Sequence, residues 1–416
     1  MDHKQHIIIL GGGQVAAYAA KEIRLEEKNI NISIISEEES LPYERPPLSK
    51  ECLLTKKNYE ECLFFSSDFY RENNINFISN EKIINVKFDQ QTLISANNKT
   101  YFYDKLLIAT GSINRKLKLN ESSEEIDKNL IYLRNIEDSK KIKHKLTSSK
   151  KILILGGGFI GLEIASAANQ LGKEVAVVEI ADHLMGRVIP KQIAKIIQNV
   201  HEKNGTEFYL GESIKKIIKK NNQYQVELEH RIVTQVDLII VGIGSNPNIN
   251  LFKDSELQLD NGIMTNEFCQ TSIKNVFAAG DIANFYHPFY KKHMRLESFK
   301  HAQNHGINAG KNIVGKRTAY TKIPWMWSDQ FDLNLQLTGI CNDYETYVQR
   351  GSNVNEGIIY FFLKNRRIIG ACGVGIGGKI GRDIRLAGKL SEKKIKLNKE
   401  ILSDKNLKLN KVLSGS

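Results

Sequence analysis

The feature that most constrains this chain is a strand–turn–helix–strand unit that occurs twice. Both copies begin with a short apolar strand and turn on three consecutive glycines. In the first copy the strand, turn, helix and second strand are residues 6–10, 11–13, 14–27 and 31–36. In the second copy the same four segments are residues 151–155, 156–158, 159–171 and 174–178. Continuously apolar strands of this length are typical of parallel sheets covered on both faces. The copies lie too far apart for a solenoid, whose repeats span about 20–50 residues. We therefore predict an α/β fold with two related Rossmann-like domains.

The first turn has the residue types that a dinucleotide pyrophosphate requires. Gly11 permits the tight turn, Gly13 lets the phosphates approach the backbone, and Ala16 is small enough for the helix to pack on the strand. The helix start supplies free N–H groups to the phosphates. Glu37, at the end of the next strand, can accept hydrogen bonds from a ribose diol. A glycine-rich turn without a ligand is the alternative, but this placement favours dinucleotide binding.

The second turn has all three glycines of the pattern, Gly156, Gly158 and Gly161, and Glu179 closes its second strand. An acid at this position repels a 2′-phosphate and bonds a free 2′-hydroxyl, which favours NAD over NADP. Arg187 lies nearby in the sequence and would weaken that preference, because a guanidinium binds phosphate well. We predict NADH as the ligand of this turn.

Two dinucleotide sites in one chain predict electron transfer between a tightly held flavin and a visiting nicotinamide. One further apolar strand ends on Ala109, Thr110 and Gly111, whose N–H groups we expect near the first site, and another ends on Gly244. Asp281, after a third such strand, can bond a flavin ribityl hydroxyl. An ordinary helix N-cap is the alternative for Asp281.

The rest of the chain predicts additional strands and a smaller C-terminal α+β domain. The expected elements are strands at 106–111, 236–244, 276–281, 335–340, 346–350, 357–363 and 367–373, a helix at 379–390 and a loop at 120–129.

The charge balance leaves two interpretations. The chain has 59 Lys and Arg against 47 Asp and Glu, a net charge of +12. This excess indicates either a partner of opposite sign or a solvated surface rich in lysine. The densest basic stretches, 215–220 and 389–399, are not interleaved with aromatics, so we predict no nucleic-acid binding.

Compartment follows from what the sequence lacks. There is no run of about 18 apolar residues, so we expect no membrane span, and the N-terminus has no signal-peptide pattern. The five cysteines do not make a disulfide framework. We expect a reducing, cytoplasmic location.

Five motifs carry a resemblance to a known family. They are LPYERPPLSK (41–50), GGGFIGLEIA (156–165), VFAAGDIA (276–283), RLESFKHAQNHG (295–306) and PWMWSDQFDLNLQLTG (324–339). Over nearly its whole length the chain resembles the FAD-dependent, NADH-using ferredoxin reductases of bacterial multicomponent oxygenase systems, the family of putidaredoxin reductase and of aromatic-ring dioxygenase reductases. Rubredoxin reductases and apoptosis-inducing factor are broader relatives.

The resemblance implies roles for matching residues. Val15 and Glu37 would hold the adenosine half of FAD, and Ile83 would meet the adenine through its backbone. Phe299 and Trp327 would lie at the isoalloxazine ring; a buried core aromatic is the alternative for Trp327. The cofactor-binding residues that we predict in all are Gly11, Gly13, Val15, Ala16, Glu37, Arg45, Lys50, Ile83, Ala109, Thr110, Gly111, Arg134, Gly156, Gly158, Ile160, Gly161, Glu179, Arg187, Gly244, Asp281, Glu297, Phe299 and Trp327.

Lys50 and Glu163 are the predicted catalytic residues. Lys50, with Arg45, would lie near the pyrophosphate and isoalloxazine, where its charge stabilises a reduced, anionic flavin. Glu163, on the helix after Gly161, would point toward the same space and pair with Lys50. A purely structural ion pair is the alternative.

A redox cysteine is not expected. Disulfide reductases of the wider superfamily carry such a cysteine after the first unit, but the matching stretch 40–50 contains none. Cys52 is predicted to be a structural thiol. Electrons should therefore leave from the flavin itself, and we predict no metal site.

The predicted organisation has three domains: an FAD domain at 1–114 and 243–322, an NAD domain at 115–242 and a C-terminal domain at 323–416. The predicted activity is hydride transfer from NADH to FAD and single-electron transfer to a small iron–sulfur protein, a [2Fe–2S] ferredoxin, by a monomer or homodimer. The alternatives are an NADH oxidase, a rubredoxin or quinone reductase, and a redox-sensing protein of the apoptosis-inducing-factor type.

Overall fold

The computed structural model of the protein describes residues 4–119 and 124–414. Residues 1–3, 120–123 and 415–416, which the predicted domains and the predicted loop include, lie outside the described residues.

The strands, in chain order, are β1 (His6–Leu10), β2 (Asn31–Ile35), β3 (Ile75–Ile78), β4 (Ile83–Lys87), β5 (Thr92–Ser95), β6 (Thr100–Phe102), β7 (Lys105–Ile108), β8 (Ser112–Asn114), β9 (Ile131–Tyr132), β10 (Lys151–Leu155), β11 (Glu174–Glu179), β12 (Thr206–Leu210), β13 (Ile214–Lys220), β14 (Gln223–Leu228), β15 (Ile232–Val236), β16 (Leu238–Val241), β17 (Ser245–Pro247), β18 (Ile263–Thr265), β19 (Val276–Ala278), β20 (Ala283–His287), β21 (Lys292–Met294), β22 (Trp325–Gln330), β23 (Leu333–Gly339), β24 (Thr346–Arg350), β25 (Ile358–Lys364) and β26 (Arg367–Ile376).

The α-helices are α1 (Gln14–Glu26), α2 (Ser67–Glu72), α3 (Glu124–Asn129), α4 (Ile136–Ser148), α5 (Phe159–Gln170), α6 (Lys191–Lys203), α7 (Phe299–Ile313), α8 (Gly381–Glu392), α9 (Lys399–Ser403) and α10 (Leu409–Ser414). Among the described residues, no helix has the length and apolar character needed to cross a membrane.

The chain divides into two compact units. The first contains the residues up to Glu44, Tyr59–Ile113 and Ser245–Lys322. The second contains Arg45–Asn58, Asn114–Gly244 and the chain from Ile323 onward. The three-domain division drawn from the sequence stays a prediction.

The first unit is built on a parallel sheet with the strand order β19-β7-β1-β2-β3. The predicted strand–helix–strand unit is confirmed as β1, α1 and β2. Helix α1 buries Ala16, Ala19 and Ile23, and it approaches α7 so closely that a Cβ on Gly306 would lie 2.7 Å from the Val15 carbonyl oxygen. This sheet order reverses direction beside β1, and ligands of such sheets bind at the carboxyl ends of the strands at that point.

The second unit repeats the design with the parallel order β12-β11-β10-β16-β9. Here β10, α5 and β11 form the predicted second strand–helix–strand unit. Helix α5 is buried on most of its surface, since Leu162, Ile164, Ala165, Ala167 and Ala168 are all inaccessible to solvent. The chain thus places the second glycine turn at the same kind of sheet reversal as the first.

The second unit also contains an antiparallel sheet with the order β22-β23-β26-β25-β24, on which α8 packs through Ile384, Ala387 and Leu390. The predicted C-terminal strands and helix are confirmed. The strand β22 was not predicted as an element. The loop predicted at 120–129 is wrong at its end, because the part that is described, Glu124–Asn129, forms α3.

Candidate functional site

The first glycine turn leaves open space where a phosphate would approach. Gly11 has φ +118°, and a Cβ there would lie 2.4 Å from the Ala109 carbonyl oxygen, so only glycine fits. Gly13 begins α1, and a Cβ there would meet no described atom within 4 Å. None of the described side chains caps this helix start. Its N–H groups are therefore available for an anion, as FAD binding requires.

The third position of the first turn is filled by Ala16, which is completely buried. Its neighbour Val15 contacts the turn that follows β19: a Cβ on Gly280 would lie 2.5 Å from Val15 Cγ2. Gly280 has φ +80°, a conformation that favours glycine. The fold therefore brings Val15 and the Gly280–Asp281 turn together, as the FAD prediction requires.

Asp281 is held by a hydrogen bond from the Ser112 hydroxyl to its Oδ2, at 3.0 Å. Its alternative interpretation as a helix N-cap is not what the structure has, because Asp281 lies inside a short 3-10 turn whose cap position is Ala279. The preceding N–H, of Gly280, donates to His305 Nδ1 at 3.1 Å. The Asp281 side chain and the backbone of its neighbour Gly280 are thus both held, as suits a residue that positions a hydroxyl.

Other predicted flavin contacts of the first unit lie on different elements. Ala109 and Thr110 follow β7, and the Gly111 carbonyl accepts from the Asn248 N–H at 2.9 Å. Glu37 is exposed and pairs with Lys82 at 2.9 Å. Ile83 is the first residue of β4, and Phe299 is the first residue of α7. The Glu297 carboxylate accepts a hydrogen bond from Arg295 Nη1.

The second glycine turn, in the other unit, has the same backbone geometry. Gly156 has φ +109°, and a Cβ there would lie 2.4 Å from the Gly242 carbonyl oxygen. A Cβ on Gly158 would find its nearest described neighbour 3.9 Å away, again at Gly242. At Gly161 a Cβ would lie 2.2 Å from the Gly156 carbonyl oxygen, so glycine is obligatory there. This turn fits a dinucleotide pyrophosphate as well as the first does.

Glu179 ends β11 and binds the turn directly. Its carboxylate accepts from the Gly157 N–H at 2.7 Å and from the Ala181 N–H at 2.9 Å. A carboxylate has about four acceptor positions, so capacity for a ribose remains. Arg187 is exposed, and its Nη2 lies 3.0 Å from the position of a Cβ on Gly244. Ile160, the second residue of α5, is 46% exposed.

Lys50 lies between two carboxylates of the second unit. Its Nζ is 3.5 Å from Glu163 Oε1 and 3.6 Å from Asp329 Oδ2, and its side chain is only 10% exposed. The predicted pair with Glu163 is therefore present. Trp327 lies beside it, with the Lys50 Nζ 5.8 Å from its ring and its indole N–H donating to Asp329 at 3.0 Å.

Glu163 is a buried carboxylate with several donors. The Ser328 hydroxyl donates to Oε1 at 2.6 Å, and the Ser49 hydroxyl donates to Oε2. The pKa of Glu163 is raised, chiefly by burial and to a smaller extent by Asp329, although Lys50 and the two hydroxyls act to lower it. An ionised carboxylate beside Lys50 is stabilised only because all these donors point at it.

Arg45 and Arg134 also meet in the second unit. The Arg45 Nη1 donates to the Arg134 carbonyl oxygen, and the Arg134 N–H donates to Asp138 at 2.8 Å. Both residues are half-buried. The predicted basic residues near the flavin are thus held by backbone contacts.

Two family models together match most of the chain. The model described as pyridine nucleotide-disulphide oxidoreductase matches residues 5–306, and the model described as reductase C-terminal matches residues 325–413. This chain belongs to the pyridine nucleotide-disulphide oxidoreductase family. The predicted fold class is confirmed, and the predicted cofactors, FAD and NAD(H), are those of the family.

Individual relatives resemble the chain over nearly its whole length. It is 31% identical to the anthranilate 1,2-dioxygenase system ferredoxin–NAD(+) reductase component of Burkholderia cepacia, over 91% of this chain and 93% of the relative. It is 33% identical to a rubredoxin–NAD(+) reductase of Ectopseudomonas oleovorans, over 87% and 94%. Among solved structures, the covalent putidaredoxin reductase–putidaredoxin complex matches with TM-score 0.93 and 26% identity, over 100% of this chain and 99% of that one.

The cysteines of this family member are all buried. Burial raises the pKa of Cys341 to about 12 and also raises the pKa values of Cys269 and Cys372. Reactive cysteines are instead partly exposed and have lowered pKa values. Cys52, the cysteine nearest to Lys50 in sequence, is likewise completely buried.

Sequence reasoning missed several side chains that surround Glu163. They are Ser49, Ser328, Asp329, Gln330 and His201. A signal was present for those on β22: successive side chains of a strand point to opposite faces, so the run WSDQ separates Ser328 and Gln330 from Trp327 and Asp329. Nothing in the sequence indicated His201, because α6 lies far from β22 along the chain.

Proposed function

We propose that this protein is an FAD-dependent reductase that takes hydride from NADH and passes single electrons to a ferredoxin, as the reductase component of an oxygenase-type electron-transfer chain. The observation that carries the proposal is the presence of two glycine turns of dinucleotide-binding geometry in a chain that resembles a ferredoxin–NAD(+) reductase over 91% of its length. FAD, when bound, can accept an electron pair as hydride and release electrons singly.

The first unit supplies the FAD-binding residues of this proposal. Gly11 and Gly13 shape the pyrophosphate turn, and the uncapped start of α1 binds the phosphates. Glu37 is exposed and free to exchange Lys82 for a ribose diol. Asp281, whose carboxylate is held by Ser112, is the residue that would accept from a ribityl hydroxyl.

The second unit supplies the NADH-binding residues. Glu179 is already turned toward the glycine turn by its two backbone donors, which favours a free 2′-hydroxyl and repels a 2′-phosphate. Among the predicted NADH-binding residues of the second unit, Arg187 is the one whose charge would attract a 2′-phosphate. We propose NADH as the donor, with NADPH bound more weakly.

Lys50 has the role of a positioned cation. Its Nζ is held by Glu163 and Asp329 in a mostly buried place, so its charge is fixed in position and little screened. A fixed positive charge stabilises negative charge that develops nearby at no cost of reorganisation. We propose that Lys50 stabilises the reduced flavin and that Glu163 is its partner in the oxidised protein.

The proposed acceptor is a small acidic [2Fe–2S] ferredoxin. Support comes from the surface of α8, where Arg382, Arg385 and Lys389 are exposed on the face opposite the buried Ile384 and Ala387. Such a basic stripe increases the association rate of an acidic partner. That the protein acts as a monomer or homodimer, in the cytoplasm, remains part of the proposal.

A rubredoxin reductase is the second candidate. It is favoured by the 33% identity to a rubredoxin–NAD(+) reductase, a likeness as extensive as that to the ferredoxin reductases. The two candidates share both cofactors and differ only in the iron–sulfur or iron protein that receives the electrons.

The experiment is an anaerobic titration of the purified holoprotein, first with NADH and then separately with NADPH. Bleaching of the flavin band by a stoichiometric amount of NADH is the expected result. Steady-state rates with a [2Fe–2S] ferredoxin, a rubredoxin and oxygen then identify the acceptor. A faster rate with rubredoxin would select the second candidate, and a high rate with oxygen alone would indicate an NADH oxidase. A flavin that NADH does not reduce would overturn the proposal.

A further inference from the structure

We propose that Ser328, Gln330 and His201 form a directional hydrogen-bond chain that holds Glu163 as an ionised, oriented partner of Lys50, and that all three are positioning residues for hydride acceptance. The inference about hydride acceptance rests on the proposed function; the inference about the direction of the chain rests on the contacts of the second unit alone.

The chain links three elements of the second unit. Glu163 lies on α5, Ser328 and Gln330 lie on β22, and His201 lies on α6. The contacts are Ser328 Oγ to Glu163 Oε1 at 2.6 Å, Gln330 Nε2 to Ser328 Oγ at 3.1 Å, and His201 Nε2 to Gln330 Oε1 at 2.9 Å. Each of these side chains is at least nine-tenths buried, so solvent does not compete for the bonds.

The direction of the chain follows from the charge at its end. An ionised carboxylate only accepts, so Ser328 must donate its single hydroxyl proton to Glu163. Ser328 can then only accept, which turns the amide nitrogen of Gln330 toward it. The amide oxygen of Gln330 is left facing His201, and His201 must therefore carry its proton on Nε2.

The far end of the chain is a neutral imidazole. Burial lowers the pKa of His201 to about 4, and its ring packs edge-on against Phe331 with the ring centres 4.9 Å apart. Thr206 Oγ1, 3.5 Å from His201 Nδ1, is positioned to donate instead to Asn169 at 2.6 Å. A neutral ring with Nε2–H completes the chain without bringing a second positive charge near Lys50.

The proposed consequence is that these donors keep the Glu163 carboxylate ionised against the burial that raises its pKa. The charged groups that face Glu163 are Lys50, which stabilises its ionised form, and Asp329, which opposes it; burial opposes it most. Ser49 donates to the other carboxylate oxygen. Each donor dipole of the chain adds to the stabilisation of the charge, and the bonds strengthen one another. Loss of a link should let Glu163 take up a proton at a higher pH and weaken its hold on Lys50.

The first test determines the direction of the hydrogen-bond chain and does not depend on catalytic turnover. The full-length holoprotein is labelled with ¹⁵N-histidine, and the His201 signals are assigned by their loss in His201→Gln. We expect His201 to be protonated at Nε2 in the wild type at pH 7. In Glu163→Gln, whose side chain can both donate and accept, we expect a mixture of the two neutral tautomers. Protonation at Nδ1 in the wild type, or an unchanged single tautomer in Glu163→Gln, would overturn the directional chain.

The second test reads the effect on Lys50 and Glu163. The rate of anaerobic flavin reduction by NADH is measured against pH in Ser328→Ala, Gln330→Leu and the control Ser166→Ala. Ser166 accepts from the Phe331 N–H at 2.7 Å, one residue beyond the hydrogen-bond chain, and the described contacts include no hydrogen bond between Ser166 and Glu163. We expect the acid limb of the profile to move to higher pH by about one unit in Ser328→Ala, by less in Gln330→Leu and not at all in Ser166→Ala.

The outcomes separate this inference from the proposed function. If NADH reduces the wild-type flavin and the acid limb is the same in all three variants, the positioning role is wrong while the proposed function stands. An equal displacement in Ser166→Ala would also overturn it, because any buried defect would then have the same effect. If NADH does not reduce the wild-type flavin, the proposed function fails, and the tautomer of His201 alone decides whether the directional chain exists.

Discussion

In the first unit the helix after the glycine turn carries Ala16 at the position where the second unit carries Gly161. Ala16 is completely buried, so α1 lies far enough from its strand to accept a methyl group. At Gly161 the same methyl group would lie 2.2 Å from the Gly156 carbonyl oxygen. The two turns therefore share their first two glycines but differ in how closely the helix approaches the strand.

The neighbours of the two helices differ in the same way. In the first unit the close approach is made to a second helix, since Gly306 and Gly310 of α7 contact the backbone of α1 at Val15 and Ala19. In the second unit the close approach is made inside the turn itself. The helix after a dinucleotide turn can thus pack closely either on the turn that precedes it or on a neighbouring helix. The third glycine of the sequence pattern indicates only the first kind of packing.

We expect the largest effect from substitutions at the third position of the two glycine patterns, Gly161 and Ala16. Gly161→Ala forces a methyl group against backbone, and we expect a loss of about 3 kcal/mol in the free energy of unfolding. The reciprocal change, Ala16→Gly, should cost only about 1 kcal/mol, the usual difference between glycine and alanine in a helix. Urea unfolding of both variants checks this. Equal losses would mean that the two helices pack on their strands in the same way.

The next effect separates the two ligands. Gly13→Ala and Gly158→Ala place a methyl group in space that the protein leaves open, so the fold should tolerate both. We expect Gly13→Ala to weaken FAD binding, and Gly158→Ala to weaken NADH binding, by about a hundredfold, or roughly 3 kcal/mol. Apoprotein reconstitution and NADH titration measure the two affinities. An effect of Gly158→Ala on FAD retention would contradict the assignment.

A smaller effect distinguishes the two acidic residues that close the second strands. Glu179 accepts two backbone N–H groups, whereas Glu37, as far as the described residues show, forms just an exposed ion pair with Lys82. In Glu179→Gln one N–H loses its acceptor, and we expect a loss of about 2 kcal/mol in unfolding free energy. Glu37→Gln should cost less than about 1 kcal/mol. Thermal or urea unfolding of the apoproteins measures the two losses of unfolding free energy. A larger loss for Glu37→Gln than for Glu179→Gln would contradict the conclusion that Glu179 stabilises its turn more than Glu37 does.

The smallest expected effect is on the thiols, where the two units should behave alike. Cys62 and Cys269 of the first unit and Cys52, Cys341 and Cys372 of the second are buried. Burial raises the pKa of Cys341 to about 12, so the reactive thiolate is scarce at pH 8. We expect iodoacetamide at that pH to leave NADH-driven flavin reduction unchanged and to label few thiols by mass spectrometry. Rapid labelling of Cys52 with loss of activity would reveal a redox role for it.

Local patterns were enough to predict the two glycine turns, because a turn that leaves a strand, starts a helix and binds phosphate is specified within a few residues. The ranges of β1, α1, β10 and α5 follow from the same local pattern, and their predicted bounds agree with the structure to within a residue or so. The carboxylates Glu37 and Glu179 were found by their position at the end of the following strand. Lys50 was predicted through the resemblance to a family, and Glu163 was predicted from its position on the helix two residues after Gly161.

The sequence by itself determined the fold class and the two dinucleotide turns, since both follow from the spacing of strand, glycine turn and helix within each repeated unit. Tertiary structure alone decided which donors surround Glu163. Its partners Ser49, Ser328 and, through Gln330, His201 come from segments far apart in the chain. Buried polar groups need hydrogen-bond partners, and the fold supplies these partners from distant segments of the chain. A local sequence pattern therefore cannot predict them.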